Sequence, residues 1–448
     1  MSRSLQAAIA VTLTTGVVLL WKTTLGPADG SAVGIGRYSA DAILVNTVLC
    51  VFLLLTVYCA TGGPFWKVRT ARVLLGLGTL ALLAAAIEAP AAIGWVDWRV
   101  FLTGKGFGYE GPHNARLDPQ WIFLRPPHDH FVSVQEGDTA RSLRIDTGHR
   151  YRAEWRGDRF GFRNAEDFKR APIVLVGDSF VEGYKVTQDS TVSARLGELL
   201  HEDVCNLGQC DFGPCQELLA VRRIARPLHP RVVVWFFFEG NDLKDIDEYE
   251  EATRNWYRYS GRFNSYANRS FCNIVRWRLV EGLKRYHRSD LEQVRKHSGT
   301  LKAAAGGPTT IYFGLPSVKL GRHELDLLVK TQWMLAEAKS LCDSVGAKLV
   351  VVSVPLKQRV YREFCDLPAD AAPGIAELND LPERLSECCL AVEVPCLDLA
   401  PALKKAAGQG TLTYFVDDEH WSPEGHAVVA EELARWIHEN AGKDAPAK

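Results

Sequence analysis

Three short segments carry residue types that could assemble a nucleophilic site. Gly177-Asp178-Ser179-Phe180 ends an apolar run, Ile173-Val174-Leu175-Val176. In an open α/β sheet, ligands bind at the carboxyl ends of strands, so a serine there sits where a nucleophile belongs. Gly240-Asn241-Asp242 follows the apolar run Arg231–Phe238, and an asparagine amide at that point can donate to a developing oxyanion. Asp417-Asp418-Glu419-His420-Trp421 lies near the C-terminal end. His420 is the natural base for the Ser179 hydroxyl, and a carboxylate beside it would fix its tautomer. Each segment has a plainer reading alone: a strand-to-helix turn, a Gly-Asn turn, an acidic loop with a stray histidine.

The elements that must position these segments alternate. Short strand-like runs begin at Ile173, Asp203, Arg231, Ala347 and Val392. Helical stretches are predicted over 191–200 with Ser190 as N-cap, 216–224, 325–345 and 423–440. Strands alternating with helices predict an α/β fold: three layers, α/β/α, around a parallel sheet. Both faces of such a sheet are covered, which explains strands that are apolar throughout.

Taken together, Ser179, Asn241, Asp417 and His420 resemble the SGNH (GDSL-type) hydrolase superfamily over about 160–437. The resemblance implies Ser179 as nucleophile, His420 as base, Asn241 and the Ser179 N–H in the oxyanion hole, and no cofactor. Asp417 fits the family's Asp-x-x-His. Asp418 is the alternative acid, fitting the Asp-x-His-Trp pattern that looks like alginate O-acetyltransferases and their membrane-linked relatives. Val354-Pro355-Leu356-Lys357-Gln358-Arg359-Val360-Tyr361 is similar to a segment of those relatives and reads equally as a substrate-positioning segment or as a strand-to-helix connection with a surface Lys and Arg. His426, in Ser-Pro-Glu-Gly-His, looks like the stretch that often follows the histidine. Two departures stand out. The oxyanion-hole glycine of the family's second block falls near Asp211, whose backbone N–H would have to serve; Gly208 and Gly213 are the alternatives. Glu239 precedes Gly240-Asn241-Asp242, where the family pattern is Gly-x-Asn-Asp.

The chain has 448 residues, 47% of them hydrophobic, and a net charge of −1, which argues against nucleic acid as a partner. Three apolar stretches at about 5–21, 42–60 and 73–95 each approach the ~17–25 residues needed to cross a bilayer, predicting a three-helix transmembrane anchor over 1–95. Arg3, and Lys67, Arg69 and Arg72 between the second and third spans, place the N-terminus in the cytoplasm and everything after Trp95 on the outer, periplasmic side. Glu88, inside the third span, reads as a functional carboxylate or, more plainly, as one that snorkels or packs against another span near its end. Residues 96–170 read as an extended linker or pre-domain. Residues 171–441 read as the catalytic domain, with an insertion at about 245–316. Within that insertion, the basic stretch 273–288 reads as a cover for the site, a helix leaning on the membrane, or a plain surface helix. Asn268-Arg269-Ser270 is a glycosylation sequon by pattern only. Nine cysteines follow Trp95, and disulfides among them would suit an exported domain. No Cys/His spacing resembles a metal site, and His128-Asp129-His130 reads as a surface pair.

The function expected is a membrane-anchored serine esterase acting on O-acyl esters of surface glycans or lipids. The alternatives are an O-acyltransferase moving an acyl group from a membrane acyl-donor partner to a polysaccharide hydroxyl, and a degenerate glycan-binding domain.

Overall fold

The computed structural model describes residues 33–35, 38–103, 116–263, 266–286, 291–302, 307–317 and 319–442. The chain divides into two compact units, one of residues 1–104 with 261–288, the other of 105–260 with 289–448.

In the second unit, five strands form one parallel sheet: β1 (Ile173–Gly177), β2 (Val204–Gly208), β3 (Val232–Phe238), β4 (Lys348–Val354) and β5 (Cys396–Asp398), in the order β5-β4-β3-β1-β2. Alternate residues feed two cores. Val174, Val176, Val233, Trp235, Phe237 and Val351 pack under helices Pro214–Ala220, Arg322–Asp343 and Leu381–Ala391. Ile173, Leu175, Val234, Phe236, Val350 and Val352 pack under Val192–Leu200, Ala400–Gly408 and Pro423–Asn440. The helices cover both faces, so no strand shows the one-sided alternation of a half-exposed sheet. The strand order reverses between β1 and β3, which opens a crevice at their carboxyl ends.

The sequence reading differs in detail. Thr191, not Ser190, caps the Val192–Leu200 helix, its side chain accepting from the Ala194 N–H. The fifth strand is only Cys396–Asp398, because Val392 and Glu393 still belong to the end of the preceding helix and its turn. Residues 116–170 are more than a linker. They contain the antiparallel hairpin His130–Gln135/Tyr151–Arg156, with Asp138–Ser142 as a short helix in its connection. All eleven cysteines are free thiols, so the expected disulfides do not form.

In the first unit, Ala40–Ala60 and Trp66–Ala92 are helices. One stretch among the described residues, Gly63–Ala92, is long and apolar enough to cross a membrane. It starts earlier than the expected third span and takes in Lys67, Arg69 and Arg72, which were assigned to a loop. The expected span at 42–60 lies within Ala40–Ala60; the one at 5–21 lies outside the described residues. Part of the predicted insertion joins this unit rather than the sheet: helix Phe271–Tyr286 packs beside Ala40–Ala60 and Trp66–Ala92.

Candidate active site

β1 ends at Gly177, and Asp178 caps the short turn of helix Ser179–Glu182 by accepting from the Phe180 N–H at 2.9 Å. Burial pushes the Asp178 carboxyl up to about 6. A side chain at Gly177 would press on Val181, and one at Gly208 on the Glu182 backbone, so both strand ends need glycine to pass the turn this closely. The turn presents Ser179 at the crevice.

His420 arrives from the loop before helix Pro423–Asn440. Its Nε2 lies 2.8 Å from Ser179 Oγ and its Nδ1 lies 2.6 Å from Asp418 Oδ1. Asp418 also accepts from the His420 backbone N–H at 2.9 Å, which locks ring and carboxylate together. The preference for Asp417 does not match this geometry. The two-residue spacing lets Asp418 reach the imidazole, whereas Asp417 turns away and accepts from Tyr151 Oη at 2.5 Å and from the Thr147 hydroxyl. Burial, then the Asp417 hydrogen bond, holds the Tyr151 hydroxyl in its neutral form.

A second pair completes the arrangement. Lys185, whose side chain is fully buried, donates to Asp418 Oδ2 at 2.5 Å and to Asp138 Oδ1. Asp138 N–H donates to Asp418 Oδ2 as well, at 2.7 Å. Burial opposes the charge on each group, yet the ionic contacts outweigh it. Lys185 is held above its usual range by Asp418 and Asp138, and Asp418 falls well below the usual carboxylate range through His420 and Lys185. For His420, burial is outweighed by Asp418 and Asp138, and its affinity for a proton rises above the ordinary 6.5. Among the described residues one group has metal-ligand spacing, Asp138 with Asp418 and His420, but the Lys185 ammonium already sits between its two carboxylates. His128 and His130 do not converge: they face Asp167 at 3.9 Å and Glu154 at 3.6 Å.

These charges give a signed pH prediction. A base must be neutral to accept a proton, so activity rises as pH climbs through the His420 value. Asp138 raises that value and Lys185 lowers it. Lys185→Met is therefore expected to move the acid limb of kcat/KM to higher pH, and Asp138→Asn to lower pH. The double variant should return it near the starting point. A pH–rate series on the three variants checks this, and same-direction shifts would sink the assignment.

Ser179 and His420 line a cavity of about 250 Å³. Its walls include Trp155 and Phe131 from the hairpin, Tyr184, Arg141 and the buried Arg125–Glu182 ion pair at 2.6 Å. Asp211 also lines it, with a left-handed φ of 61°, the conformation that a glycine at this position would supply. Its carboxyl is pushed up to about 6 by burial and by the Glu182 charge. Gly208 N–H is committed to Asn206 Oδ1 at 2.8 Å and Gly213 N–H to Gln216 Oε1 at 3.4 Å. Asn241 is not among the lining residues; its amide donates to Asp245 Oδ2 at 2.7 Å, from the start of helix Asp242–Arg254. His426 is buried within the last helix against the Trp421 edge, and burial pushes it down to about 3.

Lys357 and Glu239 have structural jobs. The Lys357 ammonium is fully buried and donates to the carbonyls of Tyr312 (2.6 Å), Val416 (2.9 Å) and Asp418 (3.0 Å). It thus holds the histidine loop instead of contacting substrate. Glu239 accepts from the Leu356 N–H and pairs with Arg359 at 2.8 Å, tying β3 to the same segment. Asp138, Lys185, Tyr151, Thr147 and Trp155 were missed from the sequence, since no local pattern marks them.

Residues 322–448, which include Asp418 and His420 but not Ser179, match the family described as SGNH hydrolase-like domain, acetyltransferase AlgX. No curated protein matches the chain. Solved structures similar to it include a lipase/acylhydrolase from Enterococcus faecalis (16% identity, 60% of this chain and 95% of that one, TM-score 0.31). Others are a GDSL-like lipase from Bacteroides thetaiotaomicron (14%, 60% and 88%, 0.31) and a catalytic mutant of an acetylxylan esterase from Geobacillus stearothermophilus (10%, 60% and 95%, 0.32).

Proposed function

We propose that this chain, whose residues 322–448 match the SGNH hydrolase-like domain, acetyltransferase AlgX family, is a membrane-anchored enzyme that forms an acyl-enzyme on Ser179 from O-acyl esters of glycans or lipids. The observation that carries this reading is the continuous hydrogen-bonded line from Ser179 Oγ through His420 to Asp418. Ser179 Oγ attacks the ester carbonyl carbon, and its proton passes to His420 Nε2. Asp418 accepts the Nδ1–H, keeps Nε2 free to take that proton, and stabilises the imidazolium. The oxyanion is met by the N–H groups of Ser179 and Asp211. Asn241, whose amide is given to Asp245 and which does not line the cavity, is left out of this oxyanion hole. The C–O bond to the leaving alcohol breaks as His420 returns the proton. Water, deprotonated by His420, then releases the acid and restores Ser179.

A second reading replaces that water by a sugar hydroxyl, making the enzyme an O-acyltransferase. It is favoured by the acetyltransferase family match across the Asp-x-His segment. Competition between water and a bound hydroxyl for one acyl-enzyme decides between the two. The anchor is read as three spans with the catalytic unit on the outer side; support comes from the one apolar stretch Gly63–Ala92 and the distribution of Lys and Arg.

The test uses the full chain in lipid nanodiscs with p-nitrophenyl acetate, with and without an oligosaccharide acceptor. p-Nitrophenol release is expected. Acetate found on the sugar favours the transferase, and free acetate alone the esterase. No release, with Ser179 unlabelled by a fluorophosphonate, would overturn both.

A further inference from the structure

Glu88 lies one helical turn before Ala92, the end of the apolar stretch, a distance of about 6 Å along the axis. A carboxylate this close to hydrocarbon needs partners. It has them at the start of helix Phe271–Tyr286: Glu88 Oε1 accepts from the Cys272 N–H at 2.6 Å and from Ser270 Oγ at 3.0 Å. Trp98 makes a second tie to the same turn, its Nε1–H donating to the Ile87 carbonyl at 2.9 Å. Its ring meets Phe101 and Phe271 edge-on, each at 5.5 Å. The helix therefore begins at the level where the span ends.

Its surface has the composition of a membrane interface. Ile274 is buried against the unit. Val275 and Leu279 flank it on one side and Trp277 on the other, and all three are exposed, as are Trp95 and Phe101. Arg276 and Arg278 are exposed between them. Exposed aromatic and aliphatic side chains interleaved with arginines are unfavourable in water. They suit the headgroup region, where rings lie at the boundary and guanidinium groups reach anionic phosphates.

We propose that helix Phe271–Tyr286, with Trp95, Trp98 and Phe101, forms a collar seated in the headgroup layer of an anionic bilayer. The segment is inserted from the middle of the catalytic sequence but belongs to the anchor. Glu88 is the positioning residue that sets its depth. This rests on the membrane reading given above.

The experiment reconstitutes the full chain in vesicles of phosphatidylcholine and phosphatidylglycerol. An environment-sensitive fluorescent amino acid replaces Leu80, Trp277 or Leu390 in turn, and spin-labelled lipids act as quenchers. Leu80 should be quenched by deep labels, Trp277 by headgroup labels, and Leu390 by neither. Leu80 left unquenched would overturn the anchor itself. Leu80 quenched with Trp277 unquenched would overturn the collar alone. At position 277, quenching should prefer spin-labelled phosphatidylglycerol over phosphatidylcholine, and Arg276→Gln with Arg278→Gln should abolish that preference. A preference that survives would overturn the role given to the arginines.

Discussion

Ser179→Ala is expected to lower kcat for p-nitrophenyl acetate by about 10⁴-fold or more, with the fold intact. In the proposed mechanism Ser179 Oγ is the atom that bonds to the acyl carbon, and alanine leaves no oxygen at that place. The side chain sits at the first turn of a short helix and its hydroxyl is hydrogen-bonded to His420, so losing an oxygen there removes chemistry without opening a core cavity. His420→Ala should cost a similar factor, and the double variant little more than either single change. Residues that act as one unit are strongly non-additive. Steady-state kinetics on the three variants checks this. Independent, multiplying losses would mean that the serine and histidine do not share a proton.

The second large effect separates two adjacent aspartates. Asp418→Asn is expected to reduce kcat by about 10³–10⁴-fold, because an amide at that place can stabilise the wrong imidazole tautomer and cannot balance the imidazolium. It also leaves Lys185, fully buried, with Asp138 as its one carboxylate partner among the described residues. Asp417→Asn should stay within about tenfold of wild type, since Asp417 serves Tyr151 and Thr147 rather than the histidine. Thermal unfolding of both variants distinguishes chemistry from stability: Asp418→Asn should lose activity far beyond any loss of fold. If the two variants ranked the other way, the acid would be Asp417 after all.

These two residues also show what the sequence could and could not disclose. Ser179 and His420 were legible because each sits at a punctuated position, one after a strand-ending glycine, the other before a Ser-Pro helix start. The parallel sheet was legible because its central strands, Ile173–Gly177 and Val232–Phe238, are unbroken apolar runs. The acid was not. Asp417 and Asp418 both precede His420 by a workable spacing, and what separates them is Tyr151 and Thr147 on one side and Lys185 on the other, far away in the chain. The cavity wall stayed hidden for the same reason. Phe131 and Trp155 pair across a hairpin in a stretch rich in Gly, Pro and Arg, where no long period announces structure. Asp211 is instructive in the opposite sense. It stands where the resemblance expects a glycine, and its backbone nonetheless adopts the left-handed conformation, which Asp tolerates better than most residues.

The chain passes between its two units three times, near 104, 260 and 288. A single peptide-bond cut anywhere would leave the units joined by at least two remaining covalent connections. Shedding the catalytic unit from a membrane would need three separate cleavages, and a simple truncation before Trp98 would strip helix Phe271–Tyr286 of the helices it packs against. The way the polypeptide is threaded thus makes separation of the units by proteolysis a matter of three independent cuts, and makes residues 261–288 the segment to remove together with the N-terminal hundred when the second unit is wanted alone.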